Sequence, residues 1–92
     1  MAFPIYNVSF RRAHQDSIVV NGEIVNETGR NYAMAAFKIL LFDKYHLIGS
    51  GIIKVHDFRS RAIKEFEALI EGMDYKIIPS IFKYEVLFEG GY

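Results

Sequence analysis

Residues 38–51 read KILLFDKYHLIGSG. A run of large apolar side chains stops at Asp43-Lys44, crosses Tyr45 and His46, and resumes at Leu47. Two strongly β-forming runs parted by a few polar residues have the spacing of a hairpin. Asp43 ends the first run because its short carboxylate competes for nearby backbone amides. The spacing therefore predicts strands over about 32–42 and 47–55. Ala33, Ala35, Phe37, Ile39 and Leu41 share one face of the first, and Lys38 lies on the other.

The same two-residue period extends outward. Tyr6, Val8 and Phe10 alternate with Asn7, Ser9 and Arg11, predicting a strand over about 5–12. A second runs over about 17–26, with Ile18, Val20, Gly22 and Ile24 on one face. Gly22 in mid-strand marks a bulge or the close approach of another backbone. NETGRN, residues 26–31, is a dense turn signal in which Gly29 can take positive φ. Toward the C-terminus, Phe82, Tyr84, Val86 and Phe88 alternate with Lys83, Glu85, Leu87 and Glu89. Tyr75–Ile78 is expected as a short separate strand, and Pro79, which cannot donate to a ladder, as an edge or bend.

Residues 60–71, SRAIKEFEALIE, are ambiguous. Ile63, Phe66 and Ile70 stand at i, i+3 and i+7, Ser60 can cap the start and Gly72 the end, and local propensity leans to a short amphipathic helix. The strand alternative places Lys64 beside Phe66 on an inward face, which a strand end tolerates by snorkelling. Counting this segment as a strand, about seven short runs with near-regular turns point to an all-β sandwich or barrel.

The chain has 92 residues, one domain by length, and 51% of them are hydrophobic, which excludes disorder. Eight Phe and six Tyr supply large buried areas to strands. Eleven basic residues balance eleven acidic ones, so the basic surplus of a nucleic-acid binder is missing. With no Cys there is no disulfide, thiolate zinc site or Cys nucleophile. No apolar run is long enough to cross a membrane as a helix, and the first residues, MAFPIYNVSF, do not form a signal peptide. The compartment stays open between a cytoplasmic chain and a domain excised from an exported protein.

An ordered series of short pieces is similar to the FxLYD domain, a small immunoglobulin-like β-sandwich. VVNGEIVNETGR, residues 19–30, resembles the family's V-x-G-x-V-x-N-x-T-G strand and turn. ILLFD, residues 39–43, sits where the name-motif belongs, with Phe42 for Tyr and Ile39 for the leading Phe. LIGSG, residues 47–51, resembles the glycine-containing fourth strand. DFRSRAIKEFEA, residues 57–68, resembles the L-x-P-G-x-x-x-x-F region, with Arg59-Ser60-Arg61 replacing the usual Pro-Gly turn. The resemblance spans roughly residues 17–88 and implies an immunoglobulin-like antiparallel β-sandwich over residues 1–92. It also implies a strand at 62–70. For function it implies an accessory or interaction module and transfers no catalytic residue.

The residues themselves offer little chemistry. His14, His46 and His56 lack metal-ligand spacing. His56-Asp57 reads as a solvated turn pair rather than half of a dyad. Ser9, Ser17, Ser50, Ser60 and Ser80 lack a nucleophile-elbow context. Gly49-Ser50-Gly51 has no following Lys and no helix start, so it is not a phosphate loop. Arg11-Arg12 with His14, and Arg59, Arg61 and Lys64, are small basic clusters offset by acids. Glu65, Glu67 and Glu71 read as surface charges. No catalytic, metal or cofactor site is assigned. Strands 39–42 and 52–53 look apolar on both faces, and a sandwich has open edges. The expectation is a non-catalytic module that binds a protein partner or its own copy, through an edge strand or the 32–55 hairpin, with neither nucleic acid nor membrane insertion. The alternative is a small-ligand or carbohydrate module using Tyr45 and Tyr84.

Overall fold

Every strand pairs antiparallel, and the strands divide into two three-stranded sheets. The structure is a computed structural model describing residues 2–92. Its strands are β1 (Ile5–His14), β2 (Ser17–Val25), β3 (Tyr32–Phe42), β4 (Leu47–Phe58), β5 (Ile63–Glu71) and β6 (Lys83–Gly91). One sheet runs β1-β2-β5 and the other β4-β3-β6. They form a β-sandwich over one apolar core. Phe37, Ile39, Leu41 and Phe66, expected inside against Val20 and Ile24, are all buried with them.

The ambiguous segment is a strand. β5 pairs with β2 from Ser17↔Glu71 to Val25↔Ile63 without a slip, and Phe66, Ala68 and Ile70 face inward. The helical spacing lost because tertiary pairing supplies a partner for every residue of the segment, which local propensity cannot anticipate. Lys64 lies near the start of the strand, half-buried. Tyr75–Ile78, in contrast, is no strand. Residues Tyr75–Ser80 form a 3-10 helix. Asp74 starts it, its side chain accepting from the Lys76 amide at 2.9 Å. Ile77 N donates to Asp74 O and Ile81 N to Ile78 O, closing i→i+3 turns around Pro79. This leaves six strands.

Strand β1 does not keep a simple alternation. Its register with β2 slips between Tyr6 and Ser9, and Asn7 there has φ 54°. The expected face of Tyr6, Val8 and Phe10 is therefore broken. Tyr6 turns out to solvent, while Ile5, Val8 and Phe10 are the members packed on the core. Gly22 lies across from this bulge. A Cβ on it would stand 3.0 Å from the Tyr6 carbonyl oxygen and 3.1 Å from the Phe66 ring, so any larger residue would have to push one of them back by a few tenths of an ångström.

A second glycine pair sets the other flank. A Cβ at Gly51 would meet Ile70 Cδ1 at 2.5 Å and Leu69 O at 3.0 Å, and one at Gly49 would meet the Met73 methyl at 2.5 Å. Strands β4 and β5 therefore touch and shut that side of the sandwich. At one end Phe3, which no strand pattern marked, is buried against Phe37, Phe58 and Phe88, with centroids 4.8 to 6.1 Å away.

The turn after β2 is organised by Asn26, fully buried. Its amide nitrogen donates to Arg30 O (2.7 Å) and Phe58 O (3.1 Å). Its side-chain oxygen accepts from Thr28 N (3.0 Å) and Thr28 Oγ1 (2.7 Å). Its own backbone bonds to Ala62 O and Arg61 N. Two fold-level predictions follow from this packing. Phe66→Ala should lower unfolding free energy by roughly 3–5 kcal/mol in denaturant melts, and a loss below about 1 kcal/mol would place Phe66 outside the core. Asn26→Ala should cost about 2–4 kcal/mol, since it strands the buried Phe58 carbonyl, the partly buried Arg30 carbonyl and the Thr28 donors. A near-neutral result would show that the network is replaced by water.

Candidate interaction surface

The side opposite the β4–β5 contact is open. There β1 and β6 face each other as edge strands of different sheets. Side chains bridge the seam at intervals: Phe3 stacks on Phe88 at 5.0 Å and Phe10 lies 6.5 Å from Tyr84. Between them Ile5, Tyr84, Glu85, Val86 and Leu87 line a shallow, largely apolar groove of about 320 Å³. The alternation along β6 is that of a half-buried strand, but its apolar residues are far more exposed than that, with Leu87 47%, Phe88 44% and Tyr84 38% exposed, and Phe82 just before it 68%. The cause is topological. Strand β6 has a neighbour, β3, along one edge only, and the facing sheet does not reach over it.

The four edges of the two sheets differ. Strands β4 and β5 protect each other. Strand β1 is interrupted by the Asn7 bulge and a second register shift between Arg12 and His14, and it carries Arg11 and Arg12. Bulges and charges of this kind protect an edge from further pairing. Strand β6 is regular from Lys83 to Phe88, and its one slip opposes Ala36 and Phe37.

The hairpin face that looked apolar on both sides is mixed. Leu40 and Phe42 are half-buried and Ile52 is 52% exposed, but Lys38 stands opposite both Ile52 and Leu87, and Lys54 opposite Ala36. Lys83 also lies over the Phe42 ring at 4.9 Å.

The polar residues singled out in the sequence do not assemble. His14, His46 and His56 are exposed in different elements. Asp57 has φ 50° near the end of β4 and pairs with Arg59 (3.2 Å) instead of His56. The Ser17 hydroxyl is buried without a partner and out of a substrate's reach. Glu65 stands opposite Glu23 on the outer face, a like-charge juxtaposition invisible in the sequence; Glu67 meets Arg11 at 3.1 Å with both side chains largely exposed, a pair of small energetic weight. Among the described residues no group of three or more His, Asp or Glu is placed to hold a metal ion, and no helix is long and apolar enough to cross a membrane.

Tyr45 and Tyr84, the aromatics of the ligand alternative, have separate surroundings. Tyr45 is 78% exposed on the β3–β4 turn beside His46 and Lys44, and Tyr84 packs in the seam. No family model, curated protein or solved structure matches the chain.

The 43–46 turn is held by Asp43. Its carboxylate accepts from the amides of Tyr45 (2.7 Å) and His46 (2.6 Å), and its own amide donates to His46 O (2.9 Å). The Tyr45 amide first, then that of His46, holds the carboxyl below its ordinary value, with a small contribution from the His46 ring. A depressed carboxyl stabilises the fold above its unfolded-state value and loses that contribution as pH falls through the folded value. Asp43→Asn keeps an acceptor but no charge. Its stability deficit against the parent chain should therefore be full at neutral pH and shrink as pH drops below about 4, as measured by melts across pH. A deficit independent of pH would show that the charge is irrelevant to the turn.

Proposed function

We propose that this chain is a non-catalytic interaction module, similar to FxLYD domains in its immunoglobulin-like character, and that it binds protein through the open side of the sandwich. The observation that carries the reading is the exposure of Tyr84, Leu87 and Phe88 on one unprotected edge strand, with Phe82 just before it, beside a largely apolar groove. Apolar side chains gathered on one surface are the mark of a contact site, whereas scattered ones are ordinary. An edge strand adds a row of unsatisfied amides and carbonyls that another strand can complete. The charge balance fits a protein partner better than nucleic acid, since eleven basic residues offset eleven acidic ones.

The ligand-binding alternative has weaker support. A sugar platform needs aromatic faces that meet one ring together, and Tyr45 and Tyr84 have no partner in common.

Photo-crosslinking separates the two readings. A benzophenone amino acid at Leu87 should yield protein adducts in the cells that make this chain, and the same group at the exposed Lys54 should not. Equal labelling at both positions, or none at Leu87, would overturn the assignment of this surface. A saturable rise in melting temperature with a mono- or oligosaccharide would favour the ligand reading, since ligand at about 100 times its Kd adds about 2.7 kcal/mol.

A further inference from the structure

Resting on the reading of the open side as a protein-contact surface, we infer that its occupant is a second copy of the chain. In this pairing the two β6 strands lie antiparallel about a two-fold axis at Val86 and join the β4-β3-β6 sheets of both copies into one.

The backbone of β6 offers the right atoms. Two even-numbered carbonyls of β3 accept from the β6 side, Met34 O from Tyr92 N at 3.1 Å and Phe42 O from Phe82 N at 2.8 Å, while Tyr92 O accepts from Ala33 N at 2.6 Å and Met34 N at 3.4 Å. Even-numbered residues of β3 therefore bond toward β6, because bonding direction alternates along an antiparallel strand. Carried along the register, Lys38↔Leu87 and Leu40↔Glu85 are the bonded pairs. The amides and carbonyls of Tyr84, Val86 and Phe88 then point away from β3, along the free edge.

The side chains select one register. With the axis at Val86, Val86 faces its own copy, Tyr84 faces the copy's Phe88, Lys83 faces the copy's Glu89, and Glu85 faces the copy's Leu87 on the outer face. Both bonding and side chains are served: Val86 with Val86 and Tyr84 with Phe88 become hydrogen-bonded pairs, the aromatics gain a cross-strand contact over the seam, and each of two symmetric positions sets a cation against an anion. An axis at Leu87 would put Glu85 opposite Glu89. An axis between Val86 and Leu87 would put Phe88 opposite Glu85 and leave Lys83 facing Gly90. Two-fold pairing of one patch with itself is also the commonest symmetry of oligomers. The outer face of the β3–β4 hairpin competes poorly, since it presents Lys38 and Lys54 to their own copies.

The chain contains no cysteine, so a single introduced one reports the register directly. Opposed Cα atoms of a hydrogen-bonded antiparallel pair lie about 5.5 Å apart, within disulfide reach. Val86→Cys should therefore oxidise to a covalent dimer at micromolar concentration, and Leu87→Cys, displaced from the axis, should do so much more slowly. In sedimentation velocity the parent chain should run at about twice 10.6 kDa at high micromolar concentration. Lys83→Glu and Glu89→Lys should each weaken the dimer roughly tenfold, and the combined exchange should restore it. Circular dichroism of each variant confirms that the strands remain. A parent chain that stays monomeric, equal oxidation at positions 86 and 87, or a double exchange that fails to recover would overturn the inference. A monomer that still crosslinks another protein from Leu87 would overturn the dimer and leave the interaction reading standing.

Discussion

The side chain of Asn26 uses every hydrogen-bonding group it has. Two donors and two acceptor positions are filled inside the protein, and its backbone amide and carbonyl are bonded as well. Those bonds reach the Thr28–Arg30 turn, the end of β4 at Phe58 and the start of β5 at Ala62. Two chain crossings between the sheets, β2 to β3 and β4 to β5, are thereby fixed at one buried point. A buried amide is tolerated only when fully satisfied, and once satisfied it rejects other arrangements of the same loops. The sandwich owes its particular connection of sheets to this residue, and its cohesion to the apolar core beneath.

That connection leaves the two flanks of the sandwich unequal. Glycines at 49 and 51 let β5 side chains come down onto β4, so one flank is packed shut. On the other flank nothing corresponds. Phe3 plugs one end of the seam, the 3-10 helix follows β5 with Tyr75 under Arg12 at 4.8 Å, and the stretch between is left to Tyr84, Val86 and Leu87. Net charge of zero adds no long-range repulsion between copies. An interaction surface here is a consequence of where the strands run out.

The backbone carries its strain at turns and bulges. Asn7, Asp57 and Arg61 all have positive φ. Arg61 sits in the Arg59–Ala62 turn, closed by Ala62 N to Arg59 O at 2.9 Å, at a position that glycine would occupy without steric cost. Arg61 N is bonded to Asn26 O at 2.7 Å, so the Asn26 network holds the turn that a glycine would otherwise ease.

The sequence by itself determined the strands whose two faces differ and the turns with strong local chemistry. Phe37, Ile39 and Leu41 announce their face by period, Asp43 closes its turn through amides two and three residues on, and Gly29 takes φ 80° where a turn signal demanded it. These features depend on neighbours within a few residues. Tertiary structure alone decided the rest. Residues 63–71 satisfy a helical and an extended period equally well, and only the nine-residue pairing with β2 resolves them. The Asn7 bulge answers to Gly22 fifteen residues away and reverses the facing of Tyr6. Phe3 is buried because Phe37, Phe58 and Phe88 meet around it. The period of β6 was legible, but its exposure was not: how far an inward face is covered depends on the sheet opposite, which no spacing along the chain records.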